Sequence, residues 1–174
     1  MGKIILILGG ARSGKSTYAL ELAKKYKKVA FIATCQALDK EMEERINLHK
    51  KTRPKHWDTF EEPEKLTELL SRIGNDFDCI LIDCLTLLVS NLTLSGKSQE
   101  AVVKNIEEML VVLKKKKAAV IMVSNEVGLG IVPDNKLGRV FRDIAGRVNQ
   151  AVAKKAGEVY FTVSGIPMRI KGDK

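Results

Sequence analysis

The chain has 174 residues, of which 45% are hydrophobic and 29% charged; this size and composition predict one globular domain over residues 1–174 and exclude a disordered chain. No run of about 18 uncharged apolar residues occurs, which predicts that no helix spans a membrane. The net charge of +9 would suit nucleic acid, but only 5% of residues are aromatic and able to stack on bases, so we expect an ion-paired surface and no nucleic acid partner.

Short apolar runs alternate with amphipathic segments along the chain. Strands are predicted, in chain order, at residues 3–8, 28–34, 78–83 and 118–124, and a pair of strands within 158–171 around a turn at 165–167. Helices are predicted at residues 16–26, 38–51, 62–73, 98–115 and 135–156, with a flexible surface loop at 91–98. This alternation predicts an α/β sandwich of three layers, with a mostly parallel sheet and a C-terminal antiparallel hairpin at its edge.

The N-terminal apolar run is short and leads directly into a glycine motif, so we expect neither a signal peptide nor lipidation. The cysteines are Cys35, Cys79 and Cys84, an odd number without the paired spacing of a zinc site. Reduced thiols and a cytoplasmic protein are the simplest interpretation.

A phosphate-binding motif occupies residues 9–16, which read GGARSGKS, between a predicted strand and a predicted helix. Glycines allow the backbone N–H groups and the helix N-terminus to surround phosphate oxygens. Lys15 is expected to reach the β and γ phosphates, and the Ser16 hydroxyl to ligate Mg²⁺. An accidental glycine loop is the alternative. We predict a P-loop NTPase of the RecA-like type whose nucleotide is bound by Gly9, Gly10, Ala11, Arg12, Ser13, Gly14, Lys15 and Ser16.

Two further segments follow predicted strands. Asp83 ends a buried strand and is predicted to hold Mg²⁺, the alternative being an acid that caps the next turn. Asn125 and Glu126 open a glycine-rich segment, so they lie either near the substrate or the γ-phosphate, or in a structural turn. In the helix that follows, apolar residues at helical spacing predict packing, while its arginines reach either phosphates or salt-bridge partners.

Both histidines of the chain, His49 and His56, lie in a basic segment that ends at an exposed-looking Trp57. A histidine there is a solvated helix residue, a phosphate contact or a nucleophile, and the segment alone does not decide between them.

Five stretches, at residues 9–16, 31–34, 39–63, 124–153 and 163–171, give the chain a resemblance to a family of cobalamin biosynthesis. This is the bifunctional adenosylcobinamide kinase / adenosylcobinamide-phosphate guanylyltransferase family, and the resemblance covers nearly the whole chain. The family pattern R-I-x-x-H-x-x-x-R-P-x-x-W falls on Arg45, Ile46, His49, Arg53, Pro54 and Trp57.

The resemblance implies two reactions on one scaffold. ATP or GTP phosphorylates the terminal hydroxyl of adenosylcobinamide; GTP then guanylylates His49, and GMP passes to adenosylcobinamide phosphate to give adenosyl-GDP-cobinamide. It implies Lys15 and His49 as catalytic residues, Mg²⁺ on Ser16 and Asp83, and a homotrimer. The guanine nucleotide site it implies is lined by Ala33, Thr34, Cys35, Lys50, Lys51, Thr52, Arg53 and Glu61.

The chemistry of these residue types agrees. A neutral imidazole can attack the α-phosphorus of GTP, and the basic residues around His49 would disfavour the imidazolium form. The Glu61 carboxylate could accept hydrogen bonds from both N1–H and the 2-amine of guanine. The rivals are a kinase of another small hydroxyl compound with His49 idle, and a RecA-like ATPase acting on nucleic acid.

Overall fold

The structure is a computed structural model and describes residues 2–36, 40–73 and 75–172. In one helix, α2 (Lys40–Thr52), it describes the backbone but not the side chains at positions 41, 42, 45, 48, 49 and 52. The strands are β1 (Ile4–Gly9), β2 (Val29–Ala33), β3 (Asp58–Glu61), β4 (Cys79–Asp83), β5 (Ala119–Asn125), β6 (Glu158–Val163) and β7 (Ile166–Lys171). The other α-helices are α1 (Lys15–Ala23), α3 (Leu66–Arg72), α4 (Leu85–Leu94), α5 (Gln99–Lys114) and α6 (Lys136–Lys155). A short 3₁₀ turn, Val127–Leu129, follows β5.

The strands form one seven-stranded sheet in the order β3-β2-β4-β5-β1-β6-β7. All neighbouring pairs are parallel except β6 and β7, which form an antiparallel hairpin at the edge. The predicted fold class is therefore confirmed. Every residue of β1 and of β2 is buried, because helices cover both faces of a parallel sheet.

Two hydrophobic clusters fill the spaces between the sheet and its helices. Successive residues of β1 point to opposite faces, so Leu6 packs under α3 to α6 while Ile7 packs under α1. The predicted apolar stripe of α6 is confirmed as core, since Ile144, Val148 and Val152 are all buried. The chain thus has the three layers expected from its alternating pattern.

Trp57 belongs to the core rather than to the surface. Its side chain is 6% exposed and packs in the cluster that also contains Phe31 and Leu81. The expectation of an exposed indole was wrong. Basic residues next to an aromatic residue in the sequence do not determine whether its side chain points to solvent or to the core.

Two elements differ from the sequence prediction. Helix α4 occupies part of the segment predicted as the loop 91–98. Most of its residues are buried between the sheet and other helices, while Leu94 at its end is 61% exposed. Strand β3 was missed, since its four residues at the sheet edge are too few to show alternation. The helix predicted from residue 62 accordingly begins at Leu66.

The hairpin turn also lies slightly earlier than predicted, at Ser164 and Gly165, because β7 begins at Ile166. Among residues 2–36, 40–73 and 75–172, none of the helices combines the length and the hydrophobicity that a membrane span needs.

Helix α5 gives a test of the core. Replacing Ile106, which is fully buried, with Ala should lower the free energy of unfolding by about 2–5 kcal/mol, because a cavity remains. Val111 on the same helix is 58% exposed, so Val111→Ala should change the free energy of unfolding by less than about 0.5 kcal/mol. Urea denaturation followed by circular dichroism measures both, and equal midpoints for the two variants would contradict this packing.

Candidate nucleotide-binding site

A cavity of about 960 Å³ opens where the carboxyl ends of β1, β2, β4 and β5 meet. Parallel strands place their carboxyl ends at one edge, which is where α/β sheets bind ligands, and the volume is in the range of small-molecule sites. Most residues predicted for the nucleotide line it: Ala11, Arg12, Ser13, Gly14, Lys15, Ser16, Ala33, Cys35, Lys50, Arg53, Glu61 and Asp83.

The phosphate loop has the backbone conformation that its glycines allow. Gly14 has φ +93° and is the N-cap of α1, so the helix begins directly at Lys15. Arg12 also has a positive φ, 54°, which gives the loop its tight curvature. The N-terminus of α1, with the positive end of the helix dipole, therefore lies at the cavity, which favours an anion there.

Lys15 is held within the loop. Its side chain is 7% exposed, and its Nζ donates to the carbonyl of Gly10 at 2.5 Å and to the Ser13 hydroxyl at 3.4 Å. Burial lowers the pKa of this ammonium, while the nearby Cys84 and Asp83 act in the opposite direction. A phosphate oxygen could replace these acceptors and would bring a charge to pair with the buried cation.

The C-terminal hairpin is hydrogen-bonded to the phosphate loop. The N–H of Gly165, in the hairpin turn, donates to the carbonyl of Ser13 at 2.9 Å. The Ser13 and Thr162 hydroxyls lie 2.9 Å apart, and Thr162 donates to the carbonyl of Leu8 at 3.0 Å. Loop and hairpin therefore share one hydrogen-bonded unit.

Ser16 and Asp83 line the same cavity from α1 and from the end of β4. A hydroxyl and a carboxylate are oxygen donors, which suit Mg²⁺ when substrate phosphates and water complete its ligands. The residues present thus fit the predicted ion.

Helix α2 and strand β3 form the opposite wall. Lys50 of α2 and Glu61 at the end of β3 form an ion pair at 2.6 Å, with both side chains about half exposed. The Arg53 guanidinium stacks on the Phe31 ring, 3.8 Å from its centroid. Burial lowers the Arg53 pKa, which Asp83 and Glu61 partly oppose. Among the described residues, the buried Nη1 atom of Arg53 has no hydrogen-bond partner.

Some predicted residues lie away from the cavity surface. Thr34 is fully buried beneath it, where its hydroxyl donates to the carbonyl of Cys84 at 2.6 Å and accepts from the N–H of Cys84 at 2.9 Å. Gly9 and Gly10 begin the loop without lining the cavity, and Lys51 is exposed on α2. The side chains of His49 and Thr52 lie outside the described part of the structure.

Several residues that support the site were not predicted. Asn91 of α4 donates to the carbonyls of Thr34 at 2.8 Å and Pro63 at 2.9 Å, and so joins β2 to the segment after β3. Thr86 and Asn149 bond to the end of β5. The available signal for Asn91 was an amide side chain within "LTLLVSNLTL", whose other polar residues carry only hydroxyl groups.

The arginines of α6 do not line the cavity. Arg139 donates to the carbonyls of Pro133 at 3.1 Å and Asp134 at 2.6 Å, and Arg142 donates to the carbonyl of Gly128 at 2.7 Å. Backbone carbonyls, rather than phosphates or carboxylates, are the partners of these two side chains.

Gly14 tests the contact between loop and hairpin. A Cβ added there would lie 2.9 Å from the Cα of Gly165, so Gly14→Ala must displace backbone. We expect GTP affinity to fall at least about tenfold, since the loop amides shift. Gly96 has φ +83° and nothing within 4 Å of such a Cβ, so Gly96→Ala carries comparable strain but should bind GTP normally. Calorimetric titration with GTP measures the affinity of each variant. If Gly14→Ala binds GTP as tightly as Gly96→Ala, binding does not depend on the close contact between loop and hairpin.

The comparisons with known proteins agree with this geometry. The family model described as "Cobinamide kinase / cobinamide phosphate guanyltransferase" matches residues 5–170. Curated relatives named "Bifunctional adenosylcobalamin biosynthesis protein" are CobU of Escherichia coli (strain K12), 42% identical, and CobU of Salmonella typhimurium, 44% identical, each over 97% of this chain and 99% of the relative. CobP of Pseudomonas aeruginosa is 46% identical over 97% of each chain.

Solved structures resemble the chain in fold. The RadB recombinase aligns with a TM-score of 0.56 at 15% identity, over 92% of this chain and 74% of its own. A KaiC-like protein from Pyrococcus horikoshii OT3 aligns with a TM-score of 0.52 at 13% identity, over 92% of this chain and 70% of its own. At these identities the likeness concerns architecture, whereas the family model and the curated relatives extend over almost the whole sequence: the chain belongs to the cobinamide kinase / cobinamide phosphate guanyltransferase family.

Proposed function

We propose that this protein phosphorylates adenosylcobinamide with ATP or GTP and then transfers GMP from GTP to the phosphorylated product, giving adenosyl-GDP-cobinamide. The observation that carries the proposal is that one cavity is lined both by the phosphate loop and by α2, the helix that contains His49. His49 lies in the sequence of α2 between Ile46 and Lys50, two residues that line the cavity. One nucleotide site in a single domain would thus serve both reactions.

In the kinase reaction, the substrate hydroxyl oxygen attacks the γ-phosphorus and releases its proton to water, while the bond from the γ-phosphorus to the bridging oxygen breaks. The loop amides and Lys15 bind the phosphates and balance their charge. Ser16 and Asp83 would hold Mg²⁺, which neutralises charge on the β and γ phosphates when bound.

In the transferase reaction, an unprotonated imidazole nitrogen of His49 attacks the α-phosphorus of GTP, and pyrophosphate leaves. An oxygen of the substrate phosphate then attacks the same phosphorus and breaks the P–N bond, so that GMP passes on and the histidine is restored. The cations Lys50 and Arg53, which line the cavity, support this step because they stabilise negative charge on the transferring group.

Glu61 is proposed to select guanine, with its carboxylate accepting from N1–H and the 2-amine. Without nucleotide, Lys50 occupies this carboxylate, and a half-exposed ion pair of this kind contributes about 0–1 kcal/mol. Guanine can therefore displace Lys50 at little cost, and the released ammonium is available to a phosphate.

The proposal includes a cytoplasmic homotrimer. The cytoplasm suits enzymes that use nucleoside triphosphates. Assembly is supported by exposed apolar side chains in two places, after β5 and along the edge hairpin, because patches of this kind commonly mark interfaces: Leu129, Ile131, Val132 and Leu137, and Val163, Ile166, Met168 and Ile170.

Labelled GTP tests the transferase mechanism. Incubation with α-labelled GTP should give a protein adduct that survives denaturation, is acid-labile and base-stable, and disappears in His49→Asn, because a phosphoramidate has these properties. His56→Asn is the matched control, since His56 is exposed beyond Pro54, and it should label normally. If the wild-type protein phosphorylates adenosylcobinamide but is never labelled by GTP, the transferase mechanism is rejected and only the kinase activity remains.

Base selection gives a separate test. In Glu61→Gln one acceptor for guanine is lost, so the dissociation constant for GTP should rise about tenfold while that for ATP changes little. The adjacent Glu62 instead accepts from the N–H groups of Glu64 at 3.1 Å and Lys65 at 2.8 Å, so Glu62→Gln should keep the wild-type preference. If Glu61→Gln leaves GTP and ATP discrimination unchanged, the role of Glu61 is wrong.

A further inference from the structure

The end of β5 brings an amide side chain to the middle of the cavity edge. Asn125, the last residue of β5, is the register partner of Gly9, where the phosphate loop begins. On the other side of β5, Val123 is the register partner of Asp83. Asn125 lines the cavity between these two features, which are the phosphate cradle and the candidate metal ligand.

The backbone of Asn125 is held on both sides by buried side chains. Its N–H donates to the Thr86 hydroxyl at 2.6 Å, and its carbonyl accepts from the Asn149 amide at 3.1 Å. Thr86 is 6% exposed and Asn149 is 4% exposed. In the described part of the chain, by contrast, the carboxamide of Asn125 has no hydrogen-bond partner.

Asn149 connects helix α6 to this strand end. Its amide oxygen accepts from the Ser124 hydroxyl at 2.7 Å, and its nitrogen also donates to the Glu126 carboxylate at 3.3 Å. The Ser124 hydroxyl in turn lies 3.2 Å from that of Thr86. Burying a polar side chain is costly unless its hydrogen bonds are made, and all those of Asn149 go to residues 124–126.

Glu126 is less suited to contact a nucleotide. One of its carboxylate oxygens accepts from the Gly128 N–H at 3.2 Å and the other from Asn149 at 3.3 Å. Its negative charge would also repel a phosphate. Of the two adjacent polar residues, Asn125 therefore has the available donor.

We propose that the Asn125 carboxamide donates a hydrogen bond to the terminal phosphate of the bound nucleoside triphosphate, and that Thr86 and Asn149 are positioning residues for it. The inference rests on the proposed function. Negative charge is spread over the equatorial oxygens of the γ-phosphoryl group while it is transferred, so a fixed donor there assists the kinase reaction. In the guanylyl transfer the reacting phosphorus is the α atom, and the same donor contributes less.

A binding measurement tests the contact without turnover. Dissociation constants are measured for a non-hydrolysable GTP analogue and for GDP, with the wild-type protein and with Asn125→Ala. The wild type should bind the triphosphate analogue more tightly than GDP. In Asn125→Ala the dissociation constant for the analogue should rise about tenfold, as expected for loss of one hydrogen bond to a charged group, while that for GDP stays unchanged. Asn105→Ala, on the distant α5, is the control and should keep the wild-type ratio.

A matched pair tests the positioning role. Thr86→Val keeps the side-chain shape but removes the acceptor for the Asn125 N–H, whereas Thr86→Ser retains it. The triphosphate preference should fall in Thr86→Val, fall likewise in Asn149→Ala, and persist in Thr86→Ser. A loss of folded protein alone would lower the number of binding sites but leave the ratio of the two dissociation constants unchanged.

The reaction rates give the second readout. In Asn125→Ala, kcat of the kinase should fall about 100-fold, as for loss of one transition-state donor, with labelling of His49 by GTP reduced less than tenfold. A wild-type ratio of dissociation constants in Asn125→Ala, or no triphosphate preference in the wild type, overturns the inference. A wild-type protein that shows the triphosphate preference but neither activity would instead reject the proposed function.

Discussion

The contact between the phosphate loop and the C-terminal hairpin is the constraint on which the site depends. A loop rich in glycine has many backbone conformations, and binding phosphate requires one that presents N–H groups to the anion. The hydrogen bond from Gly165 to Ser13, together with the contact between the Ser13 and Thr162 hydroxyls, restrains the conformation of the loop. The start of α1 and the place of Lys15 follow from it.

The two walls of the cavity are held by different kinds of interaction. The wall formed by β1, β4 and β5 is continuous with the sheet and is joined to α4 and α6 by buried hydrogen bonds of Thr86 and Asn149. The wall formed by α2 and β3 is joined by a half-exposed ion pair and by the stacking of Arg53 on Phe31. A half-exposed ion pair contributes far less than a buried hydrogen-bond network.

This difference matches the demands of the two proposed reactions. Transfer of the γ-phosphoryl group needs fixed donors around a charge that spreads over its oxygens, and the proposed donors are the phosphate loop and Asn125 at the sheet edge. Capture of GMP by a histidine needs α2 and the guanine contacts to meet the nucleotide from the other side. The fold is shared with a recombinase and a KaiC-like protein, so the fold alone does not assign the two reactions. The proposed function rests on the residues that line the cavity.

The sequence by itself determined the fold class and the phosphate loop, and its resemblance to a known family added most of the remaining predicted cavity residues. Apolar runs and helical periodicity show which side of each segment packs against the core, and the residues of the loop motif are consecutive. Both signals can therefore be recognised within a single short segment of the sequence. The burial of Trp57 and the hydrogen bonds of Asn91 and Asn149 were decided only by the tertiary structure. These depend on partners that are 23 or more positions away in the chain, and a single segment carries no record of such partners. Helix α4 and strand β3 were missed for the related reason that burial of most of a helix, or a length of only four residues, weakens the periodic signal.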